Sequence, residues 1–292
     1  MQKVLITGAQ GMLGSDLMQV LNSTYDLVGV DIEDFDITNP EDTRRYINDI
    51  HPDWVIHTAA FTRVDECEIN FDTAMEVNAT GTRNVASAAR DVNAKIIAIS
   101  TDYIFDGRSI KPYTEDERPN PACLYGQTKL AGEREVMEVY PPGSYTILRT
   151  AWLFGEHGNN FVKAIHRKLR KSKEIIGVVD DQRGSPTYSV DLACAIGLLL
   201  QREPVGIINV TNSGSCTWYE FAREIARGFG YPKERLKPIT TEELGLLAPR
   251  PAYSVLSMDK FRRLTDQRLR SWQEALKNYI IKTNEKIKKK EE

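Results

Sequence analysis

Tyr125-Gly126-Gln127-Thr128-Lys129 places a phenol and an ammonium four residues apart, on one side of a helix turn. The pair has a chemical use. A free phenol titrates near ~10, and a nearby cation favours the phenolate, so Lys129 would bring Tyr125 toward proton exchange at neutral pH. The other donors of Lys129 could hold hydroxyls of a bound ligand. Thr101, in Ser100-Thr101-Asp102-Tyr103, falls at the end of a predicted strand, where open α/β sheets bind their ligands. Its hydroxyl could polarise a substrate carbonyl beside Tyr125. Taken alone, the Tyr-Lys spacing is common by chance and would also suit a surface tyrosine beside a solvated lysine.

A second group of residues supplies context. Thr7-Gly8-Ala9-Gln10-Gly11-Met12-Leu13-Gly14 follows a predicted strand and opens a predicted helix. Glycines there let the backbone turn tightly and approach a pyrophosphate, and the helix start offers free N–H groups to the anion. The loop could also be no more than a tight strand-to-helix turn. However, the next strand ends at Asp31, about 20 residues on, where a carboxylate can accept from an adenosine ribose. Gly8, Gln10, Gly11, Met12, Leu13, Gly14 and Asp31 are therefore dinucleotide-binding candidates. Asp31 would repel a 2′-phosphate and no arginine follows closely, so the residues alone favour NADH. Asp36 and Ile37 could flank the adenine, with a plain turn or capping role equally open for Asp36.

These groups need a frame to meet. Short Val- and Ile-rich runs at Lys3–Thr7, Asp26–Asp31, Trp54–Thr58, Lys95–Thr101 and Ser144–Arg149 predict strands of a parallel sheet. Between them, Met12–Leu21, Pro40–Ile50, Asp72–Arg90 and Leu124–Tyr140 carry helical spacing, with Pro40 at a first-turn position and Asn39 as its cap. Beyond Thr150 the pattern loosens into Gly-, Pro- and Asn-rich loops. A helix at Val190–Leu200 and a strand at Gly206–Thr211 bring the chain back to the sheet. The expected class is α/β: a doubly wound, Rossmann-type sheet with a smaller α/β substrate-binding domain. The expected division is 1–170 with 188–212 for the nucleotide domain, and 171–187 with 213–292 for the smaller one. The Lys- and Glu-rich end, Ile281–Glu292, reads as a solvated helix tail.

Composition narrows the classes. The 292 residues are 41% hydrophobic and 27% charged, with a net charge of −3, which fits a folded protein and offers no global positive field for nucleic acid or anionic membrane. The longest apolar run, Leu192–Leu200, is far short of the roughly 20 residues a membrane helix needs. The N-terminus lacks a basic-then-apolar secretory pattern, so the cytoplasm is the expected location. Cys67, Cys123, Cys194 and Cys216 form no CxxC pair and the four histidines show no zinc spacing, so neither a metal nor a disulfide framework is expected.

Together with Asn78, Gly81, Thr82 and Asn84, the glycine loop and the Thr101, Tyr125 and Lys129 triad resemble the extended short-chain dehydrogenase/reductase superfamily. More narrowly, His57-Thr58-Ala59-Ala60-Phe61-Thr62-Arg63-Val64-Asp65, Ser100-Thr101-Asp102-Tyr103-Ile104-Phe105, Arg149-Thr150-Ala151-Trp152, Gly158-Asn159-Asn160-Phe161 and Asp181-Gln182-Arg183-Gly184-Ser185-Pro186-Thr187 resemble the dTDP-4-dehydrorhamnose reductase family. The match runs over nearly the whole chain, to Arg250-Pro251 and Trp272.

The resemblance implies reduction of the C4 ketone of dTDP-4-dehydro-L-rhamnose by NADPH or NADH. Tyr125 would give the proton, Thr101 hold the C4 oxygen, and Lys129 bind the ribose and lower the phenol pKa. Ala59, Ala60, Thr62, Asn78 and Ser100 join the cofactor side. Thr62, Val64, Asp102, Tyr103, Trp152, Asn160, Gln182 and Arg250 are carried to the substrate side, Arg250 for a diphosphate. Plain packing for Trp152, a helix cap for Asn160 and a salt bridge for Arg250 remain open. Some relatives are magnesium-bridged dimers; here Asp16 could supply one carboxylate but Val190 stands where the second aligns, so monomer and homodimer both remain. Two other functions stay open. A nucleotide-sugar dehydratase or epimerase is one, although a dehydratase would want a second carboxylate where Tyr103 stands. A non-enzymatic dinucleotide-binding regulatory subunit is the other.

Overall fold

Residues 1–291 are described by a computed structural model, with side chains through Lys286. Glu292, the last residue of the expected tail, lies outside them. Five strands run in parallel through the first half: β1 (Lys3–Thr7), β2 (Asp26–Val30), β3 (Trp54–His57), β4 (Lys95–Thr101) and β5 (Thr146–Thr150). The strand Gly206–Asn209 completes the sheet, in the order Gly206–Asn209, β5, β4, β3, β1, β2. From β1 the chain steps to β2 on one side and β3 on the other, so the switch point, where such sheets open a crevice, lies between β1 and β3. In register, Thr7 faces Val30 and His57, and Thr101 faces Thr150, which gathers the carboxyl ends along one edge.

Burial on both faces explains why the strands read as continuous apolar runs rather than alternating ones. Val4, Ile6, Ile56, Ile97 and Leu148 pack under the Met12–Leu21 and Ser189–Arg202 helices, while Leu5, Val55, Ile96 and Ile147 face Pro40–Ile50 and Thr82–Asp91. The Asn39 side chain accepts from the N–H groups of Glu41 and Asp42 at 3.1 and 3.2 Å, as its cap position predicts.

Three departures matter for the site. The single helix expected over Asp72–Arg90 is broken into Phe71–Met75, a π-helical stretch Glu76–Gly81, and Thr82–Asp91. Periodicity cannot show a π-turn, because the apolar spacing on either side is unchanged. Val64–Cys67 forms a short helix where the sequence predicted no element. A second core, built from aromatic and branched residues such as Val162, Ile165, Phe221, Trp272 and Tyr279, begins already at Phe154. It thus takes in the Phe161–Lys171 helix, which the sequence grouped with the nucleotide half. Two-stranded ribbons brace this part: Ile176–Val179 with Leu236–Ile239, Leu153–Phe154 with Thr187–Tyr188, and Arg183–Gly184 with Cys216–Thr217.

Candidate active site

The carboxyl ends of β1, β3, β4 and β5 open into a cavity of about 740 Å³. Its floor at one end is the glycine loop. Gly8 takes φ +69°, and a Cβ there would lie 2.8 Å from the Ala59 nitrogen. A Cβ on Gly14 would lie 2.1 Å from the Gly8 carbonyl oxygen, so Gly14 serves close packing of helix on loop and does not line the cavity. Gly11 begins the Met12–Leu21 helix without a side-chain cap, leaving first-turn N–H groups without an internal partner. These are the features a dinucleotide pyrophosphate requires. Lys129 is the one cation among the described residues that line the cavity.

Asp31 stands at the same end, with Oδ2 accepting from the Gln10 N–H at 2.9 Å and Oδ1 from the Ile32 N–H at 2.9 Å. The glycine loop itself therefore fixes the carboxylate. Asp36 lines the cavity too, but its Oδ1 accepts from the Thr38 N–H and hydroxyl, which is the turn role. Phe35, Ile32 and Ile37 give this end an apolar wall. Phe35 and Ile32 were not expected, since no spacing marks them.

At the other end, Thr101 closes β4, and Tyr125 and Lys129 lie one turn apart on the Leu124–Val139 helix. All three line the cavity. The Thr101 hydroxyl donates to Asp102 Oδ1 at 3.1 Å, and the Tyr103 ring meets the Tyr125 ring edge-on at 5.5 Å. Burial raises the Tyr125 phenol well above its ordinary value, the nearby Thr101 hydroxyl opposes the rise, and Asp102, Tyr103 and Cys67 add to it. At neutral pH the phenol is protonated with or without this shift, so a proton is there to give, but the shift makes it a weaker acid, which a nearby cation would have to offset. Burial also pushes Lys129 down to about 8, with the Glu133 carboxylate opposing. Asp102, at 1% exposure, is raised to about 6 by burial, with the Ser254 and Thr101 hydroxyls opposing the rise.

The match to known proteins fits this arrangement. Residues 1–285 match the model of the RmlD substrate binding domain family. The chain belongs to that family. It is 41% identical to the spore coat polysaccharide biosynthesis protein SpsK of Bacillus subtilis (strain 168), over 96% of this chain and 97% of that one. It is also 41% identical to a dTDP-4-dehydrorhamnose reductase of Streptomyces griseus, over 93% of this chain and 91% of that one. A crystal structure of dTDP-4-dehydrorhamnose reductase from Bacillus anthracis str. Ames in complex with NADP has a TM-score of 0.92 and 41% identity, covering 96% and 99% of the two chains.

In this member of the RmlD substrate binding domain family, Ala59, Ala60, Thr62, Val64, Ser100, Asp102, Tyr103 and Trp152 all reach the cavity. Four other candidates do not. Asn78 is fully buried, with its Nδ2 donating to the Phe61 carbonyl and Thr128 Oγ1 and its Oδ1 accepting from the Phe61 N–H. It holds the Phe61 loop against the Tyr125 helix. Asn160 is used as a helix cap, accepting from the Lys163 N–H at 3.1 Å, and its neighbour Asn159 lines the cavity instead. Gln182 is a buried link between Trp218 Nε1 at 3.1 Å and Thr241 Oγ1 at 2.9 Å. Arg250 is paired with Asp65, so its fork is already occupied.

Trp218 is a further functional candidate that sequence reasoning missed within the RmlD-type cavity. Its indole stacks on Trp152 with centroids 3.4 Å apart and planes 4° apart. Trp152 holds a left-handed φ of 46°, and a Cβ on Gly184 would come within 2.4 Å of its ring. The ring is thus wedged between Trp218 and Gly184, and a strained backbone is tolerated to keep it there. No spacing rule links positions 152 and 218. Asp16, the carboxylate of the metal-linked expectation, is 2% exposed and accepts from the Ser189 hydroxyl. No cluster of three or more possible metal-ligating side chains occurs among the described residues, and none of their helices is long and apolar enough to cross a membrane.

Proposed function

We propose that this chain reduces the C4 ketone of dTDP-4-dehydro-L-rhamnose to give dTDP-L-rhamnose, using NADPH or NADH. The observation that carries the reading is the convergence of Thr101, Tyr125 and Lys129 on the cavity whose other end is the glycine loop. Gly8, Gly11 and the start of the Met12–Leu21 helix would hold the pyrophosphate, and Lys129 the nicotinamide ribose. Bound there, the reduced nicotinamide supplies the hydride.

The chain's own residues do the rest. The Thr101 hydroxyl and the Tyr125 phenol hold the C4 oxygen, and Tyr125 gives it a proton as negative charge develops. Thr62, Val64, Asp102, Tyr103 and Trp152 form the substrate side, with Trp218 backing Trp152. Elimination of water would want a second carboxylate next to Asp102, and Tyr103 stands there, which favours the reductase over a dehydratase. A two-domain division is part of this reading, with the smaller unit begun at Phe154 rather than at 171 and the sugar nucleotide bound between the sheet edge and the second core. Its cytoplasmic setting follows from the substrates, a nucleotide sugar and a reduced nicotinamide.

The test is a stoichiometric assay with purified protein, dTDP-4-dehydro-L-rhamnose and each reduced nicotinamide. One dTDP-L-rhamnose per nicotinamide oxidised is expected. No oxidation with either cofactor would overturn the reading and leave the regulatory-subunit alternative.

A further inference from the structure

Tyr125, Lys129 and Glu133 occupy successive four-residue steps of one helix and so form a single stripe. The first two face the cavity, while Glu133 lies beneath, 3% exposed, in a buried polar cluster. Its Oε1 accepts from the Ser100 hydroxyl at 2.5 Å and from Arg149 Nε at 2.9 Å, and its Oε2 accepts from Arg149 Nη2 at 2.7 Å. Three donors from β4 and β5 therefore fix the carboxylate. Between Glu133, Lys129, Ser100, His57 and Thr82 lies a small void of about 10 Å³. That is near the least space a single water requires, and Ala98, Ile99, Gly132 and Ile147 complete its wall beside the polar groups.

Among the groups around Lys129, Glu133 is the carboxylate whose charge opposes the effect of burial on the ammonium, across the small void they share. His57 from β3 is neutral, with Nδ1 paired to Thr7 Oγ1 at 2.7 Å and Nε2 to Thr82 Oγ1 at 3.1 Å, and burial drives it down to about 3. Tyr125 stays protonated, and Arg149 lies behind Glu133 as its bidentate partner. An ammonium buried here would otherwise lose its proton, since burial disfavours the charged form.

We propose that Glu133 is a positioning residue of the reductase site, keeping the Lys129 ammonium charged and directed to the cavity from a carboxylate clamped by Arg149 and Ser100. The proposal rests on the function given above only in assigning Lys129 to the ribose. Burying an Arg–Glu pair is a costly way to gain stability alone, and here the pair sits directly under the one cavity-lining cation among the described residues.

The test reads Lys129 directly, by the ¹³Cε resonance of lysine-labelled protein, assigned by its loss in Lys129→Met, together with NADPH titrations across pH. Glu133→Gln should lower the Lys129 pKa by about one unit and weaken NADPH binding roughly tenfold at alkaline pH, with little change in mild acid. Should Glu133→Gln fold poorly through its unpaired Arg149, Glu133→Gln/Arg149→Gln removes both charges and should still lower the lysine titration, though by less, because the lost guanidinium charge acts in the opposite direction. A Lys129 resonance that titrates as in the parent overturns the proposal, as does an affinity loss equal at every pH. If the parent binds no NADPH at all, the function above fails, while the lysine titration still decides the role of Glu133.

Discussion

Arg250 closes both arms of its guanidinium on Asp65, Nη1 to Oδ1 at 2.7 Å and Nη2 to Oδ2 at 2.8 Å. The pair joins the Val64–Cys67 helix beside the cavity to a loop 185 residues later in the chain, and the Ala248 N–H adds a third bond to the same carboxylate at 3.0 Å. The Arg250 side chain is 10% exposed and that of Asp65 41%, between the surface and fully buried cases. Arg250→Ala should therefore lower stability by about 1–2 kcal/mol, discounted for the screening that the exposed carboxylate receives, and leave NADPH affinity unchanged.

The same pair has a pH signature. Asp65 is held below its ordinary 3.8, first by the hydrogen bond from Arg250. A depressed carboxylate contributes stability above its unfolded value, and that contribution is lost as pH falls through the lower folded value. The gap in urea midpoint between parent and Arg250→Ala should be full at neutral pH and shrink in acid below 3.8. A variant as stable as the parent but tenfold or more impaired for the sugar nucleotide would return Arg250 to the diphosphate.

Tyr125→Phe removes one hydroxyl and leaves the ring that packs edge-on against Tyr103. Turnover should fall by about 10²- to 10⁴-fold, with cofactor affinity nearly unchanged. Single-turnover kinetics with saturating NADPH check this. Turnover within a factor of two of the parent would remove the phenol from the proton transfer.

Lys129 should make NADPH binding weaken as pH rises through about 8, where its ammonium loses the proton. Lys129→Met should bind weakly throughout and flatten that profile. For stability the sign is opposite: burial depresses Lys129 from 10.5, so the cost of the buried charge is present below about 8 and fades between there and 10.5. The Met variant should thus be more stable than the parent at neutral pH, with the gap closing in alkali. Thermal melts against pH measure it, and a parent that is the more stable at neutral pH would contradict it.

Asp31 sits where an adenosine ribose is expected, fixed by the Gln10 and Ile32 N–H groups. Asp31→Ala should shift the ratio of kcat/KM toward NADPH over NADH, because it removes a charge that repels a 2′-phosphate and an acceptor for a 2′-hydroxyl. A ratio that stays put would mean the ribose contacts other groups.

Much of this molecule is written locally. The parallel sheet is legible because strands buried on two faces must be apolar throughout, as Val4-Leu5-Ile6 are, and because crossover helices must separate them. The glycine loop and the Tyr125–Lys129 pair are legible for the same kind of reason: turn chemistry and a helix turn fix their geometry within a few residues, whatever the rest of the chain does.

Other features depend on contacts between distant segments, and only the tertiary structure decided them. Asn160 is spent on a cap while Asn159 reaches the cavity, a choice set by where the Phe161–Lys171 helix begins. Arg250 faces Asp65 because the chain returns to the Val64–Cys67 helix, and Trp218 covers Trp152 because two ribbons and Gly184 bring them together. Burial does the same for ionisation. The sequence placed a cation beside the phenol, but the folded surroundings raise Tyr125, lower Lys129 and set a carboxylate beneath it, since desolvation belongs to the packed core and not to any stretch of chain.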